Sequence, residues 1–173
     1  MFIRIFRAPA VWLAAGLAAG LAIGFFWPQA PLHAVATDRV ESFAICTGMA
    51  DVGHEAIFTL DFLTGDLSGA VINPTTRQFS ALYKRNIMND LKVETGKNPK
   101  FVICTGQVDL RPIGNVQWGA CCVYVAEVTT GIMGVYSFPY NPSLTNNNRG
   151  GAVAAQFELL QAVPIRNATV REQ

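Results

Sequence analysis

The sequence has few charged residues and almost no histidine. Charged residues make up 14% of the 173 residues and hydrophobic residues 51%, and there are only two histidines. So small a share of charged residues indicates a domain that buries much of its surface, either in its own core or against a partner or a membrane. The net charge is +1 and no basic run is present, so there is no electrostatic basis for nucleic-acid binding.

Motifs for catalysis and for metal binding are missing as well. The chain contains no phosphate-binding glycine loop, no Ser-His-Asp order and no helix with paired metal ligands. The four cysteines are not spaced as Cys-x-x-Cys, and neither histidine is placed to complete a zinc site. Asp51, His54 and Glu55 are close in the chain, but a solvated loop explains them better than a cation site. We therefore predict no catalytic residue, no metal and no cofactor, and no cofactor-binding residue can be identified.

One long uncharged run is present near the N-terminus. Residues 8–27 carry no charge and follow a short basic end, residues 1–7, that contains Arg4 and Arg7. About twenty such residues suffice for a helix that crosses a bilayer, and the two arginines favour a cytoplasmic N-terminus. The run predicts a single-pass membrane protein whose C-terminal domain lies outside the cytoplasm.

A cleaved signal peptide is the alternative interpretation of this run. Ala34-Val35-Ala36 fits a signal-peptidase site, and cleavage after Ala36 would leave a secreted or periplasmic chain that starts at Thr37. Within the run, Gly16, Gly20 and Gly24 recur every fourth residue, the spacing that lets membrane helices pair closely. Both interpretations place the rest of the chain outside the cytoplasm.

The remaining sequence contains two copies of one pattern. Residues 43–48 (FAICTG) are echoed by residues 101–106 (FVICTG), an offset of 58. Residues 57–65 (IFTLDFLTG) are echoed by residues 123–131 (VYVAEVTTG), an offset of 66. The second copy therefore carries an insertion, which contains the loop residues Pro112, Gly114 and Gly119.

The repeats predict a mainly β fold with two antiparallel meanders of three or four strands, at residues about 41–95 and 99–166. Together they form an extracytoplasmic β domain at residues 41–166, preceded by a linker at 28–40 and followed by a flexible tail at 167–173. Thr-Gly pairs mark hairpin turns, because glycine tolerates the positive φ of such turns. Apolar residues on both strand faces require cover on both sides, either in a sandwich-like stack or in two propeller-type blades.

Two pairs of residues occupy equivalent positions in the repeats. Asp61 and Glu127 each precede a predicted turn, which indicates a structural role there. Cys46 and Cys104 lie in the first strand of each copy and are candidates for a disulfide if these strands are neighbours. The alternative is four buried thiols. The adjacent Cys121 and Cys122 should point to opposite faces of a strand and should not pair.

Two resemblances go further than these patterns. Residues 123–138 (VYVAEVTTGIMGVYSF) resemble a blade hairpin of quinoprotein-like β-propellers, and residues 57–72 fit the same outline. The tryptophan that usually ends the second blade strand is missing from both copies. The leader ending in Trp27-Pro28, the join PLHAVATDR and the LDFLTGDL hairpin resemble an uncharacterised family of small exported bacterial proteins. That likeness implies export and a boundary near Thr37, and it implies no activity.

We therefore expect a membrane-tethered, extracytoplasmic structural or protein-interaction module without catalysis of its own. The alternative is a ligand- or cofactor-binding accessory subunit of an exported enzyme. The expected partners are the membrane, through the N-terminal helix, and either another protein or copies of the same chain, but no nucleic acid. A pocket lined by polar groups from both repeats would favour the ligand-binding alternative, and a purely apolar interface would count against it.

Overall fold

The computed structural model describes residues 9–26, 37–94, 96–143 and 152–166. The chain divides into two units, Met1–Ala34 and Val35–Gln173, and each is described by itself. The predicted basic end at 1–7, the cleavage after Ala36 and the tail at 167–173 lie outside the described residues.

The first unit contains one helix, α1 (Pro9–Phe26), of 18 residues. Its sequence is rich in alanine and leucine, which are strong helix formers, and Pro9 occupies the first turn, where a missing N–H costs nothing. Within the described residues, no helix combines the length and the hydropathy needed to cross a membrane. The membrane-spanning prediction for residues 8–27 therefore rests on the sequence alone.

The second unit contains a six-stranded sheet, sheet A, in the order β1-β2-β3-β4-β5-β9. Neighbours are antiparallel, except that β9 runs parallel to β5 at the edge. The strands are β1 (Thr37–Val40), β2 (Phe43–Asp51), β3 (His54–Asp61), β4 (Asp66–Ile72), β5 (Phe79–Asn86) and β9 (Val153–Gln156). The first repeat supplies β2 to β5, a four-stranded meander.

A four-stranded sheet, sheet B, has the order β10-β8-β7-β6 and is antiparallel throughout. Its strands are β6 (Phe101–Gln107), β7 (Cys121–Glu127), β8 (Ile132–Ser137) and β10 (Glu158–Pro164). The second repeat therefore supplies the whole of sheet B, and it also sends β9 across to the edge of sheet A.

The two sheets share one apolar core. Burial alternates along β2, β3 and β4, so that every second side chain faces inward. Phe62, at the end of β3, packs edge-on against Phe101 of β6, with 5.6 Å between ring centroids, and Phe58 lies 5.3 Å from Phe138. Each such pair contributes about 0.5–1.5 kcal/mol beyond its buried area. The packing therefore ties the first repeat to the second.

The mainly β prediction is confirmed, with two sheets of six and four strands. The described residues form two sheets and no closed barrel or propeller, so the blade-like alternative finds no support. The linker prediction is wrong for residues 37–40, because these residues pair with the free edge of β2 as strand β1.

The turn prediction is correct for two of the four Thr-Gly pairs in the echoed segments of the repeats. Gly65 and Gly131 have φ of 69° and 68° and lie in the turns that follow β3 and β7. The pairs at Gly48 and Gly106 instead lie inside β2 and β6. At Gly48 an added Cβ would stand 2.7 Å from Cys121 Sγ. Glycine therefore serves there to let β2 and β7 approach, and not to form a turn.

Candidate functional site

Asp61 and Glu127 hold the turns that follow their strands. Asp61 Oδ1 accepts hydrogen bonds from the Leu63 and Thr64 backbone N–H groups at 2.8 and 3.2 Å. Glu127 Oε2 accepts from the Thr130 N–H, and its Oε1 accepts from the Lys100 N–H at 3.0 Å. In both turns the glycine N–H also bonds to the carbonyl of the acidic residue, at 2.9 Å. The two carboxylates have the structural role that the repeat predicted.

Glu127 is only 1% exposed, so its charge state depends on these bonds. Burial alone raises the pKa of the carboxyl, but the backbone N–H groups of Thr130, Lys100 and Thr129 favour the charged form, and the net pKa is lowered. A carboxylate held in this way is a turn anchor and is unsuited to general acid catalysis.

The four cysteines are free thiols, and they are not alike. Cys46, Cys121 and Cys122 are buried, whereas Cys104 is exposed on β6. The first strands of the two repeats do meet, since Thr105 Oγ1 donates to the backbone oxygen of its repeat equivalent Thr47. Even so, no Cys46–Cys104 bridge is present. The buried-thiol prediction is correct for three cysteines and wrong for Cys104, which points away from the core at the edge of sheet B.

The buried thiols are held in their neutral form. Burial, with a smaller contribution from repulsion by Cys104, raises the pKa of Cys46 to about 12. Burial also raises the pKa of Cys121 to about 12, helped by Cys122 and Cys46. Because the thiolate is the nucleophile and the metal ligand, these side chains act as small apolar core residues.

The other residues singled out in the sequence do not converge on a site. In the part of the chain that the structure describes, no three His, Cys, Asp or Glu side chains are placed to hold a metal ion, and this includes Asp51, His54 and Glu55. Gly16 and Gly20 lie on α1 with nothing within 4 Å of an added Cβ, so the helix-pairing prediction stays a prediction. Gly24 belongs to the same helix, and its surroundings lie outside the description.

A groove opens between the two repeats at the β5–β9 edge of sheet A. We call it the Tyr140 groove. One wall is formed by Ala81 and Tyr83 of β5 with Val153 and Ala155 of β9, and the other by segments 115–117 and 139–141. These two segments are joined by a hydrogen bond of 2.9 Å from the Tyr140 N–H to the Gln117 carbonyl. The groove encloses about 270 Å³.

The hydroxyls of the two tyrosines that line this groove differ in their hydrogen bonding. Tyr83 Oη donates to the Pro139 carbonyl at 2.8 Å. The Tyr140 side chain is 3% exposed, and its Oη has no hydrogen-bond partner among the described residues. A buried hydroxyl left unpaired costs about 1–3 kcal/mol. Burial, and repulsion from Asp51, raise the pKa of Tyr140 to about 12, so this hydroxyl keeps its proton.

A second feature is the outward-facing surface of sheet A, which we call the outer face. Its central positions carry uncharged side chains: Ile45, Thr47, Ile57, Thr59, Ser68, Ala70 and Leu82. Thr47, Ile57, Ala70 and Leu82 stand in one row across four strands. A depression of about 360 Å³ lies over this row, and Lys84 at its side is paired with Asp66 at 2.9 Å.

Sequence reasoning did not find the Tyr140 groove. One of its walls combines β5 with β9, and the parallel pairing of these strands joins Ala81 to Val153, 72 residues further along the chain. The one available signal was the polar insertion of the second repeat, which contains Asn115 and Gln117.

Comparison of the chain with protein-family models, curated proteins and solved structures gave no match. The resemblances to propeller blades and to a family of exported proteins therefore stay predictions. Function has to be inferred from the outer face and the Tyr140 groove.

Proposed function

We propose that this chain is a non-catalytic interaction module, held outside the cytoplasm, that binds another protein or a second copy of itself through the outer face of sheet A. The observation that carries the proposal is the uncharged row at the centre of that face. Leu82 is 44% exposed and stands in register with Ala70 and Ile57. Uncharged side chains at the centre of a surface patch, with charges at its side, are typical of protein interfaces.

Delivery outside the cytoplasm is supported by the leader sequence. The uncharged run at residues 8–27 comes directly after Arg4 and Arg7, a charge arrangement that favours translocation of the downstream β domain. We propose that the uncleaved run tethers the β domain to the membrane. The alternative is a secreted or periplasmic chain that starts at Thr37.

The Tyr140 groove favours a second candidate, a ligand-binding accessory module of an exported enzyme. It is lined by residues of both repeats, including the amides Asn115 and Gln117. Much of the rest of the interface between the repeats is an apolar core.

Charge placed on the outer face tests the first proposal. Replacement of Ile57 and Leu82 by lysine should weaken the complex about tenfold or more, because desolvating two charges at the centre of an interface opposes binding. The measurement is the mass of the detergent-solubilised full chain by light scattering after size exclusion, together with cross-linking in its own membrane fraction.

Val52→Lys is the matched control, since Val52 is 84% exposed in the turn after β2 and lies off the outer face. Thermal unfolding should be the same for all three proteins. If the unsubstituted chain runs as a compact monomer and cross-links to nothing, or if the double variant retains the same complexes, the proposal is wrong.

A further inference from the structure

We propose that the outer face of sheet A binds a different protein, whose contacting surface is apolar at its centre and carries lysine or arginine at its margin. This inference rests on the proposed function, binding through the outer face, and adds to it the chemistry of the partner. It is argued from the exposed apolar residues beside the uncharged row and from the charges that surround them.

The apolar part of the outer face is larger than its central row. Ile72 of β4 and Phe79 of β5 stand opposite each other and are 47% and 55% exposed. On the other side of the row, Val40 and Phe43 form a register pair and are exposed as well. Exposed apolar side chains grouped on one face are typical of a surface that binds another protein.

Acidic residues predominate among the charged side chains of the outer face. Along the six strands of sheet A, which lie in the described part of the chain, four carboxylates and one amine face outward: Asp38, Glu55, Asp61, Asp66 and Lys84. Arg39 of β1 does not add to the positive charge of this face, because it is turned to the other side, 5.2 Å from the centre of the Phe62 ring. The outer face therefore carries three more negative than positive charges.

The one amine of the outer face is already paired. Lys84 Nζ lies 2.9 Å from Asp66 Oδ2, and the hydrogen bond from Lys84 holds the pKa of Asp66 below its ordinary value. Within the described residues, Asp38 and Glu55 form no ion pair, and Asp61 accepts hydrogen bonds from the N–H groups of its own turn. These three carboxylates remain open to cations of a partner.

The acidic margin selects against a second copy of the chain as the occupant. Two outer faces placed together would bring eight carboxylates and two lysines into one interface, and both lysines are already paired with Asp66. Like charges opposed across an interface weaken binding. A partner with lysine or arginine at its margin would instead neutralise Asp38, Glu55 and Asp61, while its apolar centre covered the uncharged row.

Photo-cross-linking of the full chain in its own membrane fraction identifies the occupant. Benzoylphenylalanine is placed at Phe79 on the outer face and, as a control, at Val52 in the turn after β2. Two differently tagged copies are expressed together, so that a cross-link between copies can be recognised. Mass spectrometry should show the label at Phe79, and not at Val52, joined to a segment of a different polypeptide that contains lysine or arginine.

Charge reversal measures the electrostatic contribution. Asp38→Lys combined with Glu55→Lys should weaken the complex about tenfold in about 0.05 M NaCl. Raising NaCl to about 0.5 M should weaken the complex of the unsubstituted chain, because salt screens exposed charges. Glu94→Lys combined with Asp109→Lys is the matched control, since it makes the same change in net charge at exposed positions outside sheet A, and it should leave the complex unchanged.

Light scattering after size exclusion measures the complex of each variant, and thermal unfolding should be the same for both double variants. Three results would overturn the inference while leaving binding through the outer face intact: the label at Phe79 is joined to a second copy, it is joined to lipid, or the complex responds alike to the two double variants. A chain that forms no complex and no cross-link would instead refute the proposed function itself, so the two failures can be told apart.

Discussion

At the scale of single residues, one repeat position carries a carboxylate with the same role in different surroundings. Asp61 is half-buried, whereas Glu127 is fully buried and bonds to Lys100 as well as to its own turn. Removing a hydrogen-bonded carboxylate lowers the free energy of unfolding more when the carboxylate is buried, because the N–H donors left behind cannot bond to water instead. The two positions therefore offer a comparison within one molecule.

Glu127→Ala should lower the free energy of unfolding by about 1–3 kcal/mol. Asp61→Ala should cost less, since water can replace the carboxylate at a half-exposed turn. Denaturant unfolding of the two variants beside the unsubstituted chain measures the difference. An equal loss at both positions would contradict the role assigned to burial.

The same carboxylate makes stability depend on pH. Its pKa is lowered in the folded chain below the ordinary 4.5, so the charged form is favoured by folding. The stabilisation is fully present above that ordinary value, and it is lost as the pH falls through the folded-state pKa. Glu127→Gln should flatten this acid limb of the stability curve, which denaturant unfolding measured at several acidic pH values would show.

At the scale of elements, the hairpin turns depend on glycines with positive φ. Gly53 and Gly65 have φ of 75° and 69°, a conformation that costs other residues about 1–2 kcal/mol. They differ in space: nothing lies within 4 Å of a Cβ at Gly53, whereas a Cβ at Gly65 would stand 2.4 Å from Met88 Cγ. A substitution at either glycine therefore incurs the cost of a positive φ, and only a substitution at Gly65 adds a steric clash.

Gly65→Ala should therefore destabilise the chain more than Gly53→Ala, by about 1 kcal/mol at least. Thermal or denaturant unfolding of both variants gives the difference. Equal losses would mean that the flexible Met88 side chain moves aside at no cost, and that only φ matters at these turns.

The elements that sequence reasoning predicted are those with local signals. A few neighbouring residues are enough to predict these elements. They are the alternation of β3, the Thr-Gly turns at Gly65 and Gly131, and the repeat of β6. By contrast, β9 is four residues long, VAAQ, with no alternation, and its pairing with β5 joins distant parts of the chain. Short strands held by nonlocal pairing leave no periodic signal.

At the scale of the whole molecule, the duplicated unit supplies both sheets, and equivalent strands of the two copies meet. The bond between Thr105 and Thr47 marks this contact, and the aromatic core lies alongside it. A single meander would expose its apolar face, so packing the two copies together explains why the chain contains both.

The attachment of this domain to a membrane is a prediction for the whole chain. We expect the native protein to be recovered from the membrane fraction with residues 8–27 still present, because the uncharged run is longer than an ordinary signal core. Intact-mass measurement and N-terminal sequencing of the membrane and soluble fractions provide the check. A soluble chain that starts at Thr37 would instead support the cleaved signal peptide.

The sequence by itself determined the class of the fold, the duplication, the turn-anchoring carboxylates and the uncharged leader, because each is written in neighbouring residues or in a regular spacing. Only the tertiary structure decided that the two sheets share one core, that Cys104 is exposed while Cys46 is buried, and that Tyr140 meets Asn115 and Gln117 in a groove. Those features depend on which distant strands lie side by side. Few charges and little histidine favoured the prediction of a non-catalytic module, and that stays a prediction.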